Sequence, residues 1–182
     1  MLKDLTLKIT PAIAAQAQGN ETRVLAGHLG THFDVMNREF PLDYVIRTGI
    51  IFDVSFVTQR DITLSDIDSS RIQAGMFVGF CTGFIETVEY GTTAYYKTHP
   101  QLSRELLEWL VEKRVSIIGV DAAGVRRGKE HPLMDQYCAD HDVFIVENLC
   151  HMKEAIGEGT VYTFPMNYGE MSGLPCRVVI DQ

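Results

Sequence analysis

The sequence predicts an α/β fold built on a mixed sheet. Three observations carry this: strand–helix–strand alternation over the second half, a first half dominated by strand patterns, and no linker, repeat or low-complexity tract. A chain of 182 residues buries one core without staples, so residues 1–182 are expected to form a single domain.

The elements follow in order. Residues 45–56, VIRTGIIFDVSF, place Ile50, Ile51, Phe52, Val54 and Phe56 in one run and read as a strand apolar on both faces near its start. TLSDIDSSRIQAG supplies turn and capping residues up to Gly75, MFVGFC reads as a buried strand, and a loop opens at Thr82 and Gly83. The clearest helix begins at Ser103, a capping residue with Leu102 and Leu107 at staple spacing around it. Leu106, Leu107, Leu110 and Val111 form its apolar face, opposite Glu105, Glu108, Glu112 and Lys113, while Trp109 reads as packing. VSIIGVD, 115–121, is then a central strand. PLMDQYCAD predicts a second helix with Leu133, Met134, Tyr137 and Cys138 on one face, and VFIVE (143–147) and CRVVID close the pattern as strands.

Charge narrows the function. Sixteen Lys and Arg against twenty-four Asp and Glu leave a net charge of -8 with no basic run, which argues against a nucleic-acid partner. Apolar stretches are strand-sized, short of the ~20 residues of a membrane span. Lys3, Asp4 and Lys8 interrupt the opening MLKDLTLKIT where a signal peptide needs an apolar run, so a cytoplasmic location is expected. Cys81, Cys138, Cys150 and Cys176 are far apart and form no CxxC, and they read as reduced, buried small hydrophobes.

One cluster carries chemistry. HLGTHFD sets His28, His32 and Asp34 within seven residues. On an extended backbone His32 and Asp34 point to one face, and Gly30 permits the tight turn that brings His28 to the same point. Two imidazoles and a carboxylate suit zinc, manganese or iron better than calcium or magnesium. No Glu follows His28, so the segment is not an HExxH helix.

HLGTHFD resembles the HxGTHxDxPxH signature of the metal-dependent cyclase-like hydrolases, which include bacterial kynurenine formamidases and isatin hydrolases. The resemblance extends along the chain: DLT near the start, CTGF at 81–84, the HPQLSRELLEWLVEKRVSIIGVD block, VFIVENL at 143–149 and GLPCRVVID at 173–181 are each similar to a family motif in the same order. It implies a swivelling β/β/α domain, a homodimer or higher homo-oligomer, a small-molecule substrate, and one or two divalent ions, zinc or manganese. The family's metal ligands fall on His28, His32 and Asp34, and its late glutamate on Glu147.

Three positions depart from the pattern. Met36 stands where the family has proline, and Arg38 where it has the acid/base histidine, a role closed to an always-protonated guanidinium. The late histidine ligand falls in HPLMD, where His131 has the chemistry and Asp135 the spacing to Glu147. Glu39 or His151 is the substitute acid/base candidate. His99 suggests capping or packing, His141 a solvated turn, and Arg126, Arg127 and Lys129 a solvated basic spot. Asp121 is open between the pocket and a turn cap. The leading expectation is a hydrolase of a small amide, formamide or cyclic amide that uses a metal-activated water. The alternatives are a metal-retaining fold that binds a metabolite without turnover, and a structural protein with a disabled site.

Overall fold

The computed structural model describes the backbone of residues 1–182 and all side chains except those of Glu21 and Thr22. Strands β1 (Leu2–Asp4), β2 (His32–Asp34), β3 (Ile46–Asp53), β4 (Phe77–Cys81), β5 (Ile117–Val120), β6 (Phe144–Glu147), β7 (Gly157–Pro165) and β8 (Gly173–Asp181) form one sheet. Its order is β1-β8-β2-β6-β5-β4-β3-β7, and a further pairing of β7 with β8 closes all but β1 into a mixed barrel. β3 to β6 run parallel through the middle, and β2, β7 and β8 close the ring antiparallel. The expected mixed sheet is therefore present, rolled into a barrel.

Alternation along the strands sorts side chains to two layers. Ile51, Phe77, Ile117, Phe144 and Val146 belong to the barrel interior, with Phe33 from β2 and Val178 and Ile180 from β8. Ile50, Phe52, Val78, Ile118 and Ile145 face outward. They are covered by helix α4 (Arg104–Glu112), through Leu106, Leu107, Leu110 and Val111, and by α5 (Glu130–Asp140), through Met134 and Cys138. Gly119 has no Cβ because the Phe77 ring lies there: an added Cβ would sit 2.6 Å from Phe77 Cζ. Burying rings such as Phe77 and Phe144 contributes about 2–3 kcal/mol each.

The α4 expectations hold in detail. Ser103 caps the helix by accepting from the Leu106 amide, and Trp109 packs half-buried against the core. All four cysteines are buried and unpaired. The strand expected over 45–56 is shorter, because a 3-10 turn occupies Leu42–Val45 and Phe56, 64% exposed, lies past its end. The opening strand is Leu2–Asp4 rather than 4–6, with Thr6 making an isolated bridge to Leu149. Three short helices were not expected: α1 (Pro11–Ala17), α2 (Glu21–Val24) and α3 (Thr93–Thr98). Thr10 caps α1 ahead of Pro11 and Thr92 caps α3, the usual start signals in segments too short for clear periodicity. Strand β7 was also missed, since its glycines blur the alternation.

The α5 face departs most from expectation. Leu133 is 70% exposed, whereas Asp135 is 2% exposed beside buried Met134, Cys138 and Ala139. The helix is turned so that a carboxylate, not a leucine, faces the sheet. Among the described residues no helix is long and apolar enough to cross a membrane.

His99 ends α3 and is buried against the edge of Phe84, its Nδ1–H donating to the Pro100 carbonyl at 2.9 Å. Burial pushes its pKa down to about 4, with His131 and Arg127 adding to the shift and the Pro100 bond opposing it. Between its ordinary value of 6.5 and about 4, the unfolded chain takes up a proton that the folded chain refuses, so stability falls as pH falls through this window. Urea melts of the wild type and His99→Asn should differ by roughly 2 kcal/mol more at about pH 7 than at about pH 5. Parallel pH profiles for the two proteins would refute the assignment.

Candidate metal centre

Strand register creates the first half of the site. In the antiparallel pairing of β2 with β6, His32 lies opposite Glu147 and Asp34 opposite Ile145. Phe33 and Val146 point into the barrel, so His32, Asp34 and Glu147 all stand on the outer face. The turn at Gly30 (φ +74°) returns His28 to the same place. Its Nδ1 lies 3.0 Å from both His32 Nε2 and Asp34 Oδ1, and His32 Nε2 lies 3.6 Å from the same oxygen. His32 Nε2 is also 3.7 Å from Glu147 Oε2.

The second half comes from α5. His131 and Asp135 are one turn apart, and His131 Nε2 sits 3.1 Å from Asp135 Oδ2 and 3.5 Å from Glu147 Oε1. Both residues of HPLMD therefore face the site, and the structure does not choose between them. Gly124 (φ +119°) makes room for this ring: a Cβ there would fall 2.5 Å from His131 Nδ1. The side chains fall into two overlapping groups with ligand-type atoms in mutual reach, His28–His32–Asp34 and Asp34–His131–Asp135, with Asp34 common to both.

Hydrogen bonds behind the site fix its tautomers. His32 Nδ1–H donates to the Gly30 carbonyl at 2.8 Å, which leaves Nε2 as a bare lone pair toward the carboxylates. His28 Nε2 is held by Ser172 Oγ at 2.9 Å. Asn148 donates to the Gly30 carbonyl and accepts from Tyr95, while the Gly30 amide donates to Tyr90 Oη.

The electrostatics is unbalanced. Burial pushes against ionisation of Asp34, but the His28 and His32 imidazoles, when they carry a proton toward it, outweigh burial and hold this carboxyl well below the usual range. Burial pushes Asp135 up, helped by the charge on Asp34, and it pushes Glu147 up with Asp34 and Asp135 adding to the effect. The His131 imidazole is pushed down by burial, partly offset by Asp34. Asp34 Oδ2, Asp135 Oδ1 and Glu147 Oε1 are buried without a hydrogen-bond partner among the described residues. Orphaned acceptor oxygens beside oriented imidazole nitrogens are a donor set that fits a divalent cation. These groups line one wall of a cavity of about 310 Å³, whose other walls include Arg23, Met36, Tyr90, Tyr96 and Pro132.

The two acid/base candidates from the sequence lie elsewhere. Glu39 is exposed in a separate groove with Arg38 and Leu42, and His151 is exposed, with its backbone amide donating to Glu86. Arg38 turns outward to Asp140 at 2.9 Å. Asp121 does not line the cavity. It accepts from the Thr82 amide and hydroxyl and the Gly83 amide, while burial raises its pKa to about 6. Arg126 pairs with Asp61 and Glu130, and His141 is exposed at the end of α5. Sequence reasoning missed Arg23, Tyr90, Tyr96, Asn148 and Ser172, which reach the site from loops and short helices with no local signature.

Residues 3–126 match the Cyclase family model. A search of curated proteins finds no match. Among solved structures, a potential metal-dependent hydrolase with cyclase activity aligns at a TM-score of 0.78 and 22% identity, covering 99% of this chain and 96% of the other. A predicted metal-dependent hydrolase from Bacillus stearothermophilus aligns at 0.75 and 21%, covering 99% and 97%. Isatin hydrolase A from Ralstonia solanacearum aligns at 0.77 and 19%, covering 99% and 91%. At these identities the likeness establishes the fold.

A carboxyl whose pKa is raised by folding costs stability above its unfolded value, and the cost grows as pH rises. Glu147→Gln keeps the shape and removes that cost. In chelator-treated protein at neutral pH it should raise the melting temperature by a few degrees, on the order of 1 kcal/mol. A lower melting temperature than wild type would show that Glu147 is not held in repulsion.

Proposed function

The chain belongs to the Cyclase family, and on that premise we propose that it is a metal-dependent hydrolase of a small amide, formamide or cyclic amide. One observation carries the reading: three imidazoles and three buried carboxyls converge on one cavity wall, each carboxyl with an oxygen left unpaired. His28, His32 and Asp34 would hold one ion. His131 and Asp135 would hold a second, shared through Asp34, with Glu147 reaching both groups. Mixed nitrogen and oxygen donors favour zinc or manganese.

A divalent ion supplies Lewis acidity there, polarising a carbonyl and making water a stronger acid. The chain's own residues do the rest. Ser172 and the Gly30 carbonyl keep the imidazole lone pairs aimed inward, and Tyr90, Tyr96 and Met36 wall the cavity. Attack of water on the carbonyl carbon breaks the C–N bond. With Glu39 and His151 outside the cavity, the proton of that water passes to Asp135 or Glu147 and returns to the leaving nitrogen.

A second reading has a specific observation behind it. The family's acid/base position is Arg38, tied to Asp140 at the surface, so the site could hold metal and a metabolite without turning it over. Self-association belongs to the groove near Leu42, Phe164, Met166 and Tyr168, all exposed apolar side chains. Sedimentation should give a dimer or larger that dissociates in Phe164→Glu; a monomeric wild type removes this assignment.

Elemental analysis of untagged protein should find about one or two equivalents of zinc or manganese per chain. His32→Ala should lose them, and Ser172→Ala should retain them about 10–100-fold more weakly. Loaded wild type should hydrolyse members of a panel of N-formyl compounds, lactams and linear amides, with activity removed by chelation. Stoichiometric metal with no turnover would favour the metabolite-binding reading, and no metal after reconstitution would sink both.

A further inference from the structure

Among the described residues, Arg23 is the one cation on the cavity wall that is no candidate metal ligand. It projects from α2 into the cavity that holds the carboxyls, yet it forms no ion pair among the described residues. Its guanidinium carbon lies 5.2 Å from the Tyr90 ring centroid and 5.4 Å from that of Tyr96, so two aromatic faces hold it. Gly91 (φ +92°) lies beside it, where an added Cβ would be in ordinary contact with Arg23 Nη2 at 3.7 Å. Nε and Nη2 are both buried, and neither has a hydrogen-bond partner among the described residues.

Those two nitrogens form one edge of the guanidinium. Elsewhere in this protein that edge holds a carboxylate: Arg177 donates through Nε and Nη2 to the two oxygens of Asp4, and Arg71 donates through the same pair to Oε1 of Glu158. At Arg23 the same edge is enclosed and unanswered, an arrangement that is costly without an acceptor. Ring faces fix the charge in place without consuming its donors.

We propose that Arg23 anchors a carboxylate carried by the substrate, so that the amide presented to the metal wall belongs to an anionic acyl-amino compound and not a neutral one. The inference rests on the hydrolase reading for the word substrate, but anion recognition is measurable without turnover. A planar carboxylate offers two acceptors to the paired donors. The aliphatic or aromatic body of the ligand then lies along Tyr90 and Tyr96, with its scissile group toward His28 and Asp34.

The test uses N-formylalanine and its neutral methyl ester as probes, with inorganic phosphate as a third, titrated calorimetrically into metal-free and zinc-loaded protein. Wild type should bind the carboxylate about 10–100-fold tighter than the ester in both forms. Arg23→Met should lose that preference, and Arg23→Lys should restore part of it, with zinc content unchanged and no loss of melting temperature. Equal preference in Arg23→Met and wild type overturns the proposal, as does failure of the carboxylate to bind at millimolar concentration. Tighter binding of phosphate than of the carboxylate overturns the choice of anion. Arg23-dependent binding without turnover in the zinc form would leave the anchor standing and remove the hydrolase reading. Turnover without discrimination would do the reverse.

Discussion

The site depends on one pairing, His32 opposite Glu147 across β2 and β6. Because side chains alternate with period two, a slip of one residue would send His32 and Asp34 into the barrel and Phe33 out of it. The register is locked by what sits between the ligands. Phe33 and Val146 are buried in the interior core, so the same hydrophobic burial that closes the barrel holds the polar side chains outward. β2 has only three residues, yet it is paired on both edges, with β6 and with β8, and cannot shift without breaking two ladders.

The polar network around Asn148 extends that constraint. Asn148 follows β6 directly, adopts a left-handed backbone (φ +58°), and bonds through its side chain to Tyr95 and to the Gly30 carbonyl. That carbonyl also orients His32, so the end of one strand and the turn before another are set by one amide. Thr31 links the same parts from the other side: its hydroxyl donates to the Asn148 carbonyl and accepts from the Leu7 amide. Among the described residues no buried side-chain atom of Thr31, Tyr95 or Asn148 lacks a partner, whereas one oxygen of each of the three carboxyls does. A fully satisfied support beside an unsatisfied surface is the signature of a site built for something absent from the chain itself.

Half of this was legible in the sequence, for a physical reason. HLGTHFD is local: alternation predicts that His32 and Asp34 share a face, and a glycine predicts the turn that adds His28. The α4 helix was equally plain because its cap, staple and apolar stripe agree. On α5 the resemblance named His131 and Asp135, but the stripe of Leu133, Met134, Tyr137 and Cys138 placed Leu133 inward, whereas the true inward face carries Asp135. A buried carboxylate breaks the rule that assigns faces by hydrophobicity, and it does so where the chemistry is. The family match itself ends at residue 126, before His131, Asp135 and Glu147, which the sequence offered through the motif resemblance and the geometry brings to one place. Arg23 and Ser172 needed the tertiary structure, one arriving from a four-residue helix and the other from the loop before β8.

Arg38 has a structural role of its own. Arg38 bonds Asp140 while Asn37 accepts from Gln136, so the loop after β2 is strapped to α5 at two points. α5 is the element that brings His131 and Asp135 to the site, and the strap fixes its distance from β2. A guanidinium directed into the cavity would add a charge that no base could use; directed outward, it serves position instead. Three carboxyls in mutual repulsion cannot all ionise, so Asp135 and Glu147 are held toward their protonated forms by burial and by Asp34. Such carboxyls must give up their protons before a divalent ion can bind, so filling this wall and releasing protons are coupled.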